Sequence, residues 1–469
     1  MSLRARLGIL TEFDFRQLFV ADTVSQLGTM VTQLALPLVA VLALHATPFE
    51  VGLLAAADTA AFLLVGLPAG AWVDRLRRRS VMISGDLARA ILLGSVPFAW
   101  WMGWLSMAQL YVVGLGTGLA TVFFDVAYQS YLPHLVGREN LVEGNAKLQG
   151  VQSVSQLAGP TAAGFLIQAM TAPYAIVVDA VSFVGSALFV SRIRSREAKP
   201  ERGPDAHFGR EIAEGFNFVV RNKILRSIAA CTGSSNLFSA ISGAMLILLL
   251  AGHLHIKAGL IGVVFTFMSI GGLVGALTAR RFAAWVGQGP AIWLSIGLTA
   301  PFALLTPFVH NDWRLWTMAF GNAMYWLGAV VYNVNQVSFR QAITPDRLLG
   351  RMNATMRFLV WGTLPLGGFI GGILGATIGV RNTIWVGAIG GLFSFLFVFF
   401  SPARWARELP GGDAATEPAG ADATNITDIA GTAVLAAANA SVGATVGLES
   451  HGAAGEERTD EPEEEPLAR

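Results

Sequence analysis

The segment GAWVDRLRRR, residues 70–79, joins two apolar runs and sets the pattern on which the chain is built. The runs before and after it are each about twenty residues long, which is enough for an α-helix to cross roughly 30 Å of hydrocarbon. Arginines crowd the short turn between them, as expected for a cytoplasmic loop. Similar runs recur along the 469 residues and predict twelve transmembrane helices. These helices are placed at 17–43, 50–73, 80–102, 107–129, 143–170, 173–191, 225–250, 259–279, 289–308, 314–336, 348–377 and 382–400.

The composition excludes a soluble enzyme. Hydrophobic residues make up 54% of the chain and charged residues only 13%, whereas soluble domains carry about 25% charged residues. A single cysteine, Cys231, excludes a disulfide framework. A phosphate-binding G-x-x-x-x-G-K-[ST] loop is missing from the sequence, so ATP-driven pumping is not expected. We expect no enzymatic activity, no metal and no cofactor other than a coupling proton. The expected partners are the lipid bilayer and a small-molecule substrate, without nucleic acid, and the expected state is a monomer.

Lysine and arginine are distributed unequally between the two sides of the predicted helices. Lys257, Arg314 and Arg381 lie in the connectors on one side, and most of the others lie on the side of the N-terminus. Because basic loops stay cytoplasmic, the N-terminus is predicted to be cytoplasmic. An even number of crossings then places both termini in the cytoplasm, in a multi-pass protein of the cell's inner (cytoplasmic) membrane.

The longest connector, at about 191–223, divides the helices six and six. Its second half is amphipathic, with Ile212, Phe216, Val219 and Val220 on one side, and such a helix can lie in the membrane interface. The last residues are rich in Ala, Gly, Thr and Glu and cannot bury a core, so they are expected to be disordered. The predicted division is an N-terminal bundle (1–191), a cytoplasmic linker with an amphipathic helix (192–224), a C-terminal bundle (225–401) and a disordered cytoplasmic tail (402–469).

The two halves show a weak internal repeat. The segments RENLVEGNAKLQ at 138–149 and DRLLGRMNATMR at 346–357 share a leucine–(x)3–asparagine–alanine pattern. The matching positions are 208 residues apart. The same offset relates Gly159 to Gly367 and Gly164 to Gly372. A repeat this thin can arise by chance in glycine-rich helices, but it coincides with the six-plus-six division. Parallel repeats of this kind occur in secondary transporters.

The loop at 70–79 also carries a recognisable motif. A positive-inside loop accounts for its arginines but not for an aspartate at the helix end, four residues after a glycine. The loop resembles the G-x-x-x-D-R-x-x-R-R signature of the major facilitator superfamily, with Arg77 in place of the usual glycine. The residues that match are Gly70, Asp74, Arg75, Arg78 and Arg79.

This resemblance covers about residues 10–400. It implies an all-α membrane protein with twelve transmembrane helices in two pseudo-symmetric six-helix bundles. It also implies that the loop is a conformational latch, in which Asp74 pairs with arginine and with the positive end of the eleventh helix in the outward-facing state. Asp125, near the inner end of the fourth helix, is expected to share the cationic loop.

A second motif lies on the fifth helix. QLAGPTAAG, residues 156–164, is similar to the G-P-x-x-G antiporter signature of exporters in this superfamily, through Gly159, Pro160 and Gly164. The alternative is ordinary helix packing, since glycine and proline are frequent in transmembrane helices. Residues 123–160 and 214–227 also resemble the enterobactin-exporter-type, drug efflux branch of the superfamily.

Polar residues inside predicted spans are the candidates for function, because each is costly in a bilayer. Asp58 is the most isolated charge and is either a proton-coupling group or half of a salt bridge with another helix; Asp22 is a second proton-coupling candidate. Asp86 and Arg89 are expected to pair locally, and Asp179 is expected near the outer interface. The candidates for cavity lining, besides Asp22, are Gln26, Thr29, Gln33, Gln149, Gln152, Gln156, Asn333, Gln336 and Arg357, with Phe238, Tyr325 and Trp326 as apolar contacts.

Together these features predict a secondary active transporter that works by alternating access. The favoured form is a proton-coupled exporter of amphipathic drugs or secondary metabolites, macrolide-like or siderophore-like. The alternatives are an importer of a polar nutrient, a lipid transporter on the same scaffold, or a membrane sensor that transports nothing.

Overall fold

The computed structural model describes residues 8–66, 68–73, 75–137, 139–195, 197 and 208–406. Within these ranges the chain is helical and forms two bundles of six long helices, as predicted. The first bundle contains α1 (Phe13–Leu38, with a π-helical end at Val39–Ala43), α2 (Pro48–Val65, continued by Pro68–Val73), α3 (Arg78–Trp101), α4 (Met107–Val136), α5 (Leu141–Met170) and α6 (Ala172–Ser191).

A shorter helix, α7 (Phe208–Arg221), precedes the second bundle. That bundle contains α8 (Lys223–Ile247, with a π-helical end at Leu248–His253), α9 (Ala258–Val286), α10 (Gln288–Thr299, continued as a 3-10 helix at Ala300–Phe308), α11 (Arg314–Ala342), α12 (Asp346–Trp361 and Thr363–Ile378) and α13 (Val380–Leu392 and Leu396–Phe399).

Ten of the long helices in the described ranges are apolar enough to cross a membrane on their own. The two that do not reach this hydropathy are α5 and α11, which are nevertheless 30 and 29 residues long. Both carry several amide side chains, and both pack along the apolar helix α9. They complete the twelve crossings because neighbouring helices shield their polar faces.

Local chemistry explains where helices begin and where they break. Thr47 caps α2 in a reciprocal box with Glu50, and the Asn222 side chain accepts hydrogen bonds from the first turn of α8. The second predicted helix is interrupted before Pro68, and the ninth changes to a 3-10 helix near Pro301. Proline has no backbone N–H and clashes with the preceding turn, which accounts for both irregularities. The span predicted at 289–308 is confirmed as Gln288–Phe308.

The last described segment is tied to the second bundle. Residues 402–406, predicted as the start of a disordered tail, instead include a 3-10 helix, Pro402–Trp405. It is ordered because Ala403 is buried and the Gly289 N–H donates to the Ala406 carbonyl at 2.7 Å. The remainder of the predicted tail, 407–469, lies outside the described residues, as do 198–207 of the linker.

The helix α7 is attached to the second bundle. Glu214 accepts a hydrogen bond from Arg347 at 3.1 Å and forms a second ion pair with Arg351, both at the start of α12. Val219 is fully buried against the second bundle, whereas Phe216 and Val220 are exposed. On the other side of the linker, the Asp14 carboxylate of α1 accepts hydrogen bonds from the backbone N–H groups of Arg194 and Ser195, both at 2.9 Å.

The two bundles share an apolar core at one end, and their contact continues to the middle of the molecule, where the Phe62 and Trp361 ring centroids are 4.9 Å apart. At the end opposite the chain termini, a single apolar core includes Leu38 and Val41 of the first bundle and Leu249 and Ile261 of the second. At the end that carries the termini, called here the terminal end, each bundle has its own core, around Tyr131 in the first and Phe339 in the second. The bundles are therefore joined at one end and separate at the other.

Glycines make the joined end possible. A Cβ at Gly372 of α12 would lie 3.1 Å from the Gly52 Cα of α2, and a Cβ at Gly164 of α5 would lie 3.0 Å from the Gly262 Cα of α9. These two crossings are related by the internal repeat, since Gly164 corresponds to Gly372. A related feature recurs at an offset of 210 residues: His45 and His255, each two residues after the end of a π-helical segment, have φ of 50° and 52°. Equivalent residues therefore make equivalent contacts, which supports common ancestry of the halves over chance.

We predict that Gly164→Leu forces α5 and α9 apart, because the Ala258 carbonyl oxygen lies 2.5 Å from the position of the new Cβ and is backbone that cannot rotate away. Overpacking of this kind costs about 1–3 kcal/mol. A cysteine introduced at Leu36, in a Cys231→Ser background, should then react faster with an impermeant maleimide added at the end opposite the termini. Gly150→Leu on the same helix is the control, since nothing lies within 4 Å of its Cβ position. Equal labelling of the two variants would contradict the prediction.

Candidate substrate-binding cavity

A cavity of about 470 Å³ lies between the two bundles. Residues at its closed end, such as Leu36 and Val51, belong to or adjoin the apolar core that joins the bundles. Its wall is built from α1, α2, α3, α4, α5 and α6 on one side and from α8 and α12 on the other. The cavity therefore occupies the position where a rocking motion of the bundles would alternately expose it.

The polar stripe of α1 lies on this wall. The structure places Asp22, Gln26, Thr29 and Gln33 around the cavity, as their helical spacing predicts. Asp22 is only 9% exposed and lies on the wall formed by the first bundle. One face of α1 thus presents a carboxylate, two amides and a hydroxyl to the same space.

The amide stripe of α5 faces the same space. Gln149, Gln152 and Gln156 all line the cavity, and the Gln149 amide donates a hydrogen bond to the Gln152 side-chain oxygen at 3.0 Å. Because α1 and α5 pack together, the two stripes form one continuous polar surface. This surface explains why α5 is less apolar than its neighbours.

Asp58 projects into the cavity from α2. Its side chain is exposed to that space, and within the described part of the chain it has no hydrogen-bond or ion-pair partner. Gly114 and Gly118 of α4 pack against the backbone of Asp58, with a Cβ at Gly118 only 2.5 Å from the Asp58 carbonyl oxygen. The glycines fix this turn of α2 and leave the carboxylate directed at the cavity. The salt-bridge alternative for Asp58 is not seen in this conformation.

A buried ion pair supports the wall behind Asp22. The Asp86 and Arg89 side chains of α3 are joined at 2.5 Å, as predicted, and both are buried. The Arg89 guanidinium also lies between two rings, 4.4 Å from the Phe124 centroid and 4.2 Å from the Phe183 centroid. Charge pairing and cation–π contacts on both faces compensate the desolvation of this arginine.

Two further carboxylates line the cavity. Asp125 of α4 lies on the wall beside Tyr128, within the electrostatic reach of Arg89 and of Arg357. Asp179 of α6, expected near the outer interface, is instead 1% exposed and accepts a hydrogen bond from Ser182 at 2.9 Å. Gly28 of α1 makes room for it, since a Cβ there would lie 2.5 Å from an Asp179 carboxylate oxygen. In the sequence, Asp179 stands out as a lone carboxylate in an apolar run. How deeply it is buried could not be predicted, because its burial depends on Gly28 of a neighbouring helix.

The second bundle contributes a different surface. Its lining residues are Ala240, Gly243, Ala244, Ile247, Leu364 and Gly368. The predicted lining residues Asn333, Gln336 and Arg357 lie outside this wall. Gln336 is buried and donates to Asn333 at 2.8 Å, and the Arg357 guanidinium lies 5.1 Å from the Trp361 ring centroid.

The predicted aromatic contacts also lie elsewhere. Tyr325, Trp326 and Phe238 are not among the cavity-lining residues, and the Tyr325 hydroxyl is 3.2 Å from Ser235 Oγ. A helix sequence alone does not fix which face of α11 turns toward the cavity. The aromatic residues that do line it are Phe62, Phe124, Tyr128 and Phe183.

The loop motif lies at the terminal end, away from the cavity. Arg78 forms an ion pair with Glu197 at 3.8 Å, and Arg79 donates to the Val190 carbonyl at 3.2 Å and to the Ser191 carbonyl. Arg75 is exposed, and the space in front of Gly70 is empty to 4 Å. Asp74 lies outside the described residues, and Asp125 is on the cavity wall. The latch assignment therefore stays a prediction.

The motif of α5 faces two neighbours. A Cβ at Gly159 would lie 2.4 Å from Met30 Cγ of α1, within the first bundle. The Pro160 carbonyl oxygen and Gly164 instead contact Gly262 of α9, in the second bundle. Close packing at the junction of the bundles is thus one role of this motif, and the exporter interpretation stays a prediction.

Comparison with known proteins identifies the family. The family model described as transmembrane secretion effector, of the major facilitator type, matches residues 6–419. The chain belongs to this family. It is 25% identical over 340 residues to the enterobactin exporter EntS of Escherichia coli O1:K1, which covers 72% of this chain and 80% of the exporter. It is also 25% identical over 362 residues to the uncharacterized MFS-type transporter y4rN of Sinorhizobium fredii, covering 76% of this chain and 87% of that protein.

A solved structure shows the same fold. A bacterial homologue of the iron transporter ferroportin, in an inward-facing state, aligns with a TM-score of 0.68 and 16% identity over 85% of this chain and 99% of the homologue. The outward-facing state of such a homologue aligns with a TM-score of 0.55. The family and fold make this chain a major facilitator transporter and a multi-pass membrane protein.

We predict that Arg89→Ala lowers the melting temperature of the purified protein strongly, because it leaves Asp86 buried without its charge partner. Breaking a buried pair in this way costs about 3–5 kcal/mol. The double variant Asp86→Asn/Arg89→Met should recover part of the loss, since it removes both charges. A melting curve for Arg89→Ala that matches the parent protein would show that the pair is not what holds this wall together.

Proposed function

We propose that the protein is a secondary active exporter that couples the outward movement of an amphipathic small molecule to the inward movement of protons. The observation that carries the proposal is the cavity between the bundles, where the polar stripes of α1 and α5 and the carboxylates of Asp22 and Asp58 face an aliphatic wall. A molecule with one polar and one apolar side fits such a cavity, which supports a drug-like or secondary-metabolite substrate over a purely polar nutrient.

The orientation follows from the charges of the connectors. The basic connectors lie at the terminal end, so that end is proposed to be cytoplasmic. The cavity is closed at the opposite end by the shared core, so the structure corresponds to a conformation that accepts substrate from the cytoplasm. Similarity to an enterobactin exporter supports outward transport.

Proton coupling is proposed for Asp22 and Asp58. A carboxylate enclosed between bundles is costly when charged and unpaired, so a proton or a substrate must balance it before the cavity closes. Asp58 has no partner in the described part of the chain and meets this requirement most directly. Its exposure to the cavity allows exchange of a proton with solvent in this conformation.

We predict that Asp58→Asn and Asp22→Asn abolish pH-driven export. An efflux-deficient bacterium expressing the chain should resist at least one compound from a panel of macrolides, dyes and siderophore-like compounds, and a protonophore should remove that resistance. In everted vesicles with an acidic lumen, uptake of the same compound should require both aspartates. Asp312→Asn, at an exposed site, is the control. Absence of any resistance despite confirmed membrane expression would favour an importer, a lipid transporter or a sensor.

The predicted latch gives a separate test. Asp74→Asn should reduce export strongly, because it removes the carboxylate proposed to hold the terminal end closed in the opposite conformation. Arg77→Gly is the matched variant, since it restores the glycine usual at that position and should retain export. Full activity of Asp74→Asn in the same vesicle assay would remove the latch from the mechanism.

A further inference from the structure

The two walls of the cavity differ sharply in charge. From the second bundle, the wall consists of small or aliphatic residues such as Ala240, Ile247 and Leu364. From the first bundle, it includes four carboxylates and one guanidinium. The carboxylates belong to Asp22, Asp58, Asp125 and Asp179, and the guanidinium belongs to Arg89.

The Arg89 guanidinium does not neutralise the charge of these four carboxylates. Arg89 is joined to Asp86 at 2.5 Å and is enclosed by the rings of Phe124 and Phe183. The Asp86–Arg89 pair is therefore neutral as a unit. Arg357 of the second bundle does not line the cavity, so four carboxylates outnumber the one guanidinium on its wall. An anion entering this space would be repelled by the carboxylates, and the amides of α1 and α5 would offset only part of its lost hydration.

The carboxylates are distributed rather than clustered. They project from α1, α2, α4 and α6, and the described residues contain no group of three or more His, Cys, Asp or Glu side chains arranged to hold a metal ion. A compact metal ion needs converging oxygen ligands, whereas a large cation can interact with charges spread around it. The aromatic residues Phe62 and Tyr128 line the same wall, and aromatic rings attract organic cations.

We propose that the cavity selects amphipathic organic cations and discriminates against anions of the same size and shape. This inference rests on the proposed function for its transport context and narrows its substrate class. Compounds with a protonated amine or a quaternary centre fit the cavity, and acidic siderophore-like compounds do not. The aliphatic wall of the second bundle takes the apolar part of the molecule, and the acidic wall of the first bundle takes the charge.

The test uses two ions that differ only in sign. Tetraphenylphosphonium and tetraphenylborate have the same four phenyl groups around a cationic or an anionic centre. Equilibrium binding of each to the full chain in nanodiscs of neutral lipid would be measured, with protein-free nanodiscs subtracted to remove partition into lipid. The cation should bind at least about tenfold more tightly than the anion, and each of Asp22→Asn, Asp58→Asn and Asp179→Asn should weaken its binding by on the order of tenfold.

Two controls keep the result interpretable. Asp312→Asn removes an exposed carboxylate outside the cavity and should leave binding unchanged. Asp58→Glu keeps the charge and should retain cation binding, so a loss in Asp58→Asn that Asp58→Glu does not show comes from the charge. Equal or tighter binding of tetraphenylborate, or no specific binding of the cation, would overturn the inference.

The binding assay separates this inference from the proposed function. Cation binding without proton-driven transport in vesicles would defeat the exporter proposal and leave the charge preference standing. Proton-driven export of an anionic compound, with no discrimination in the binding assay, would retain the exporter and defeat the charge preference.

Discussion

Contact between glycines at one end of the molecule is the constraint on which the rest of the structure depends. Gly52 against Gly372, and Gly164 against Gly262, bring the backbones of opposing bundles together where side chains would hold them apart. These two crossings seal the end opposite the termini and allow one apolar core to form across both bundles. The terminal end lacks such a shared core, so the cavity follows directly from where the glycines are placed.

The internal repeat makes the scaffold symmetric but not the cavity. Glycines and π-helical ends recur in both halves because both bundles need the same crossings. The wall residues do not recur, since the first bundle presents acids and amides where the second presents alanine, glycine and leucine. The two halves therefore share their helix-packing contacts, whereas the polar residues of the cavity come from the first bundle.

Features that depend on residues of a single helix could be predicted from the sequence. Apolar runs predicted the helices, and the spacing of Asp22, Gln26, Thr29 and Gln33 predicted a face that the structure indeed turns toward the cavity. Breaks at Pro68 and Pro301 were missed because a hydropathy pattern does not register a lost backbone hydrogen bond. The depth of Asp179, and the placement of Gln336 and Arg357 away from the wall, depend on which helices become neighbours. Spacing along one helix does not contain that information.

The attachment of the linker at both of its ends has a mechanical consequence. Asp14 fixes residues 194 and 195 to the first bundle, while Glu214 and Val219 fix α7 to the second. The helix α7 therefore travels with the second bundle as part of its rigid body. Glu197 also pairs with Arg78 of the first bundle, so ten residues, 198–207, connect the two anchors, and ten residues can span at most about 35 Å. Such a tether is long enough to permit angular displacement of the bundles, and it prevents their dissociation within the bilayer.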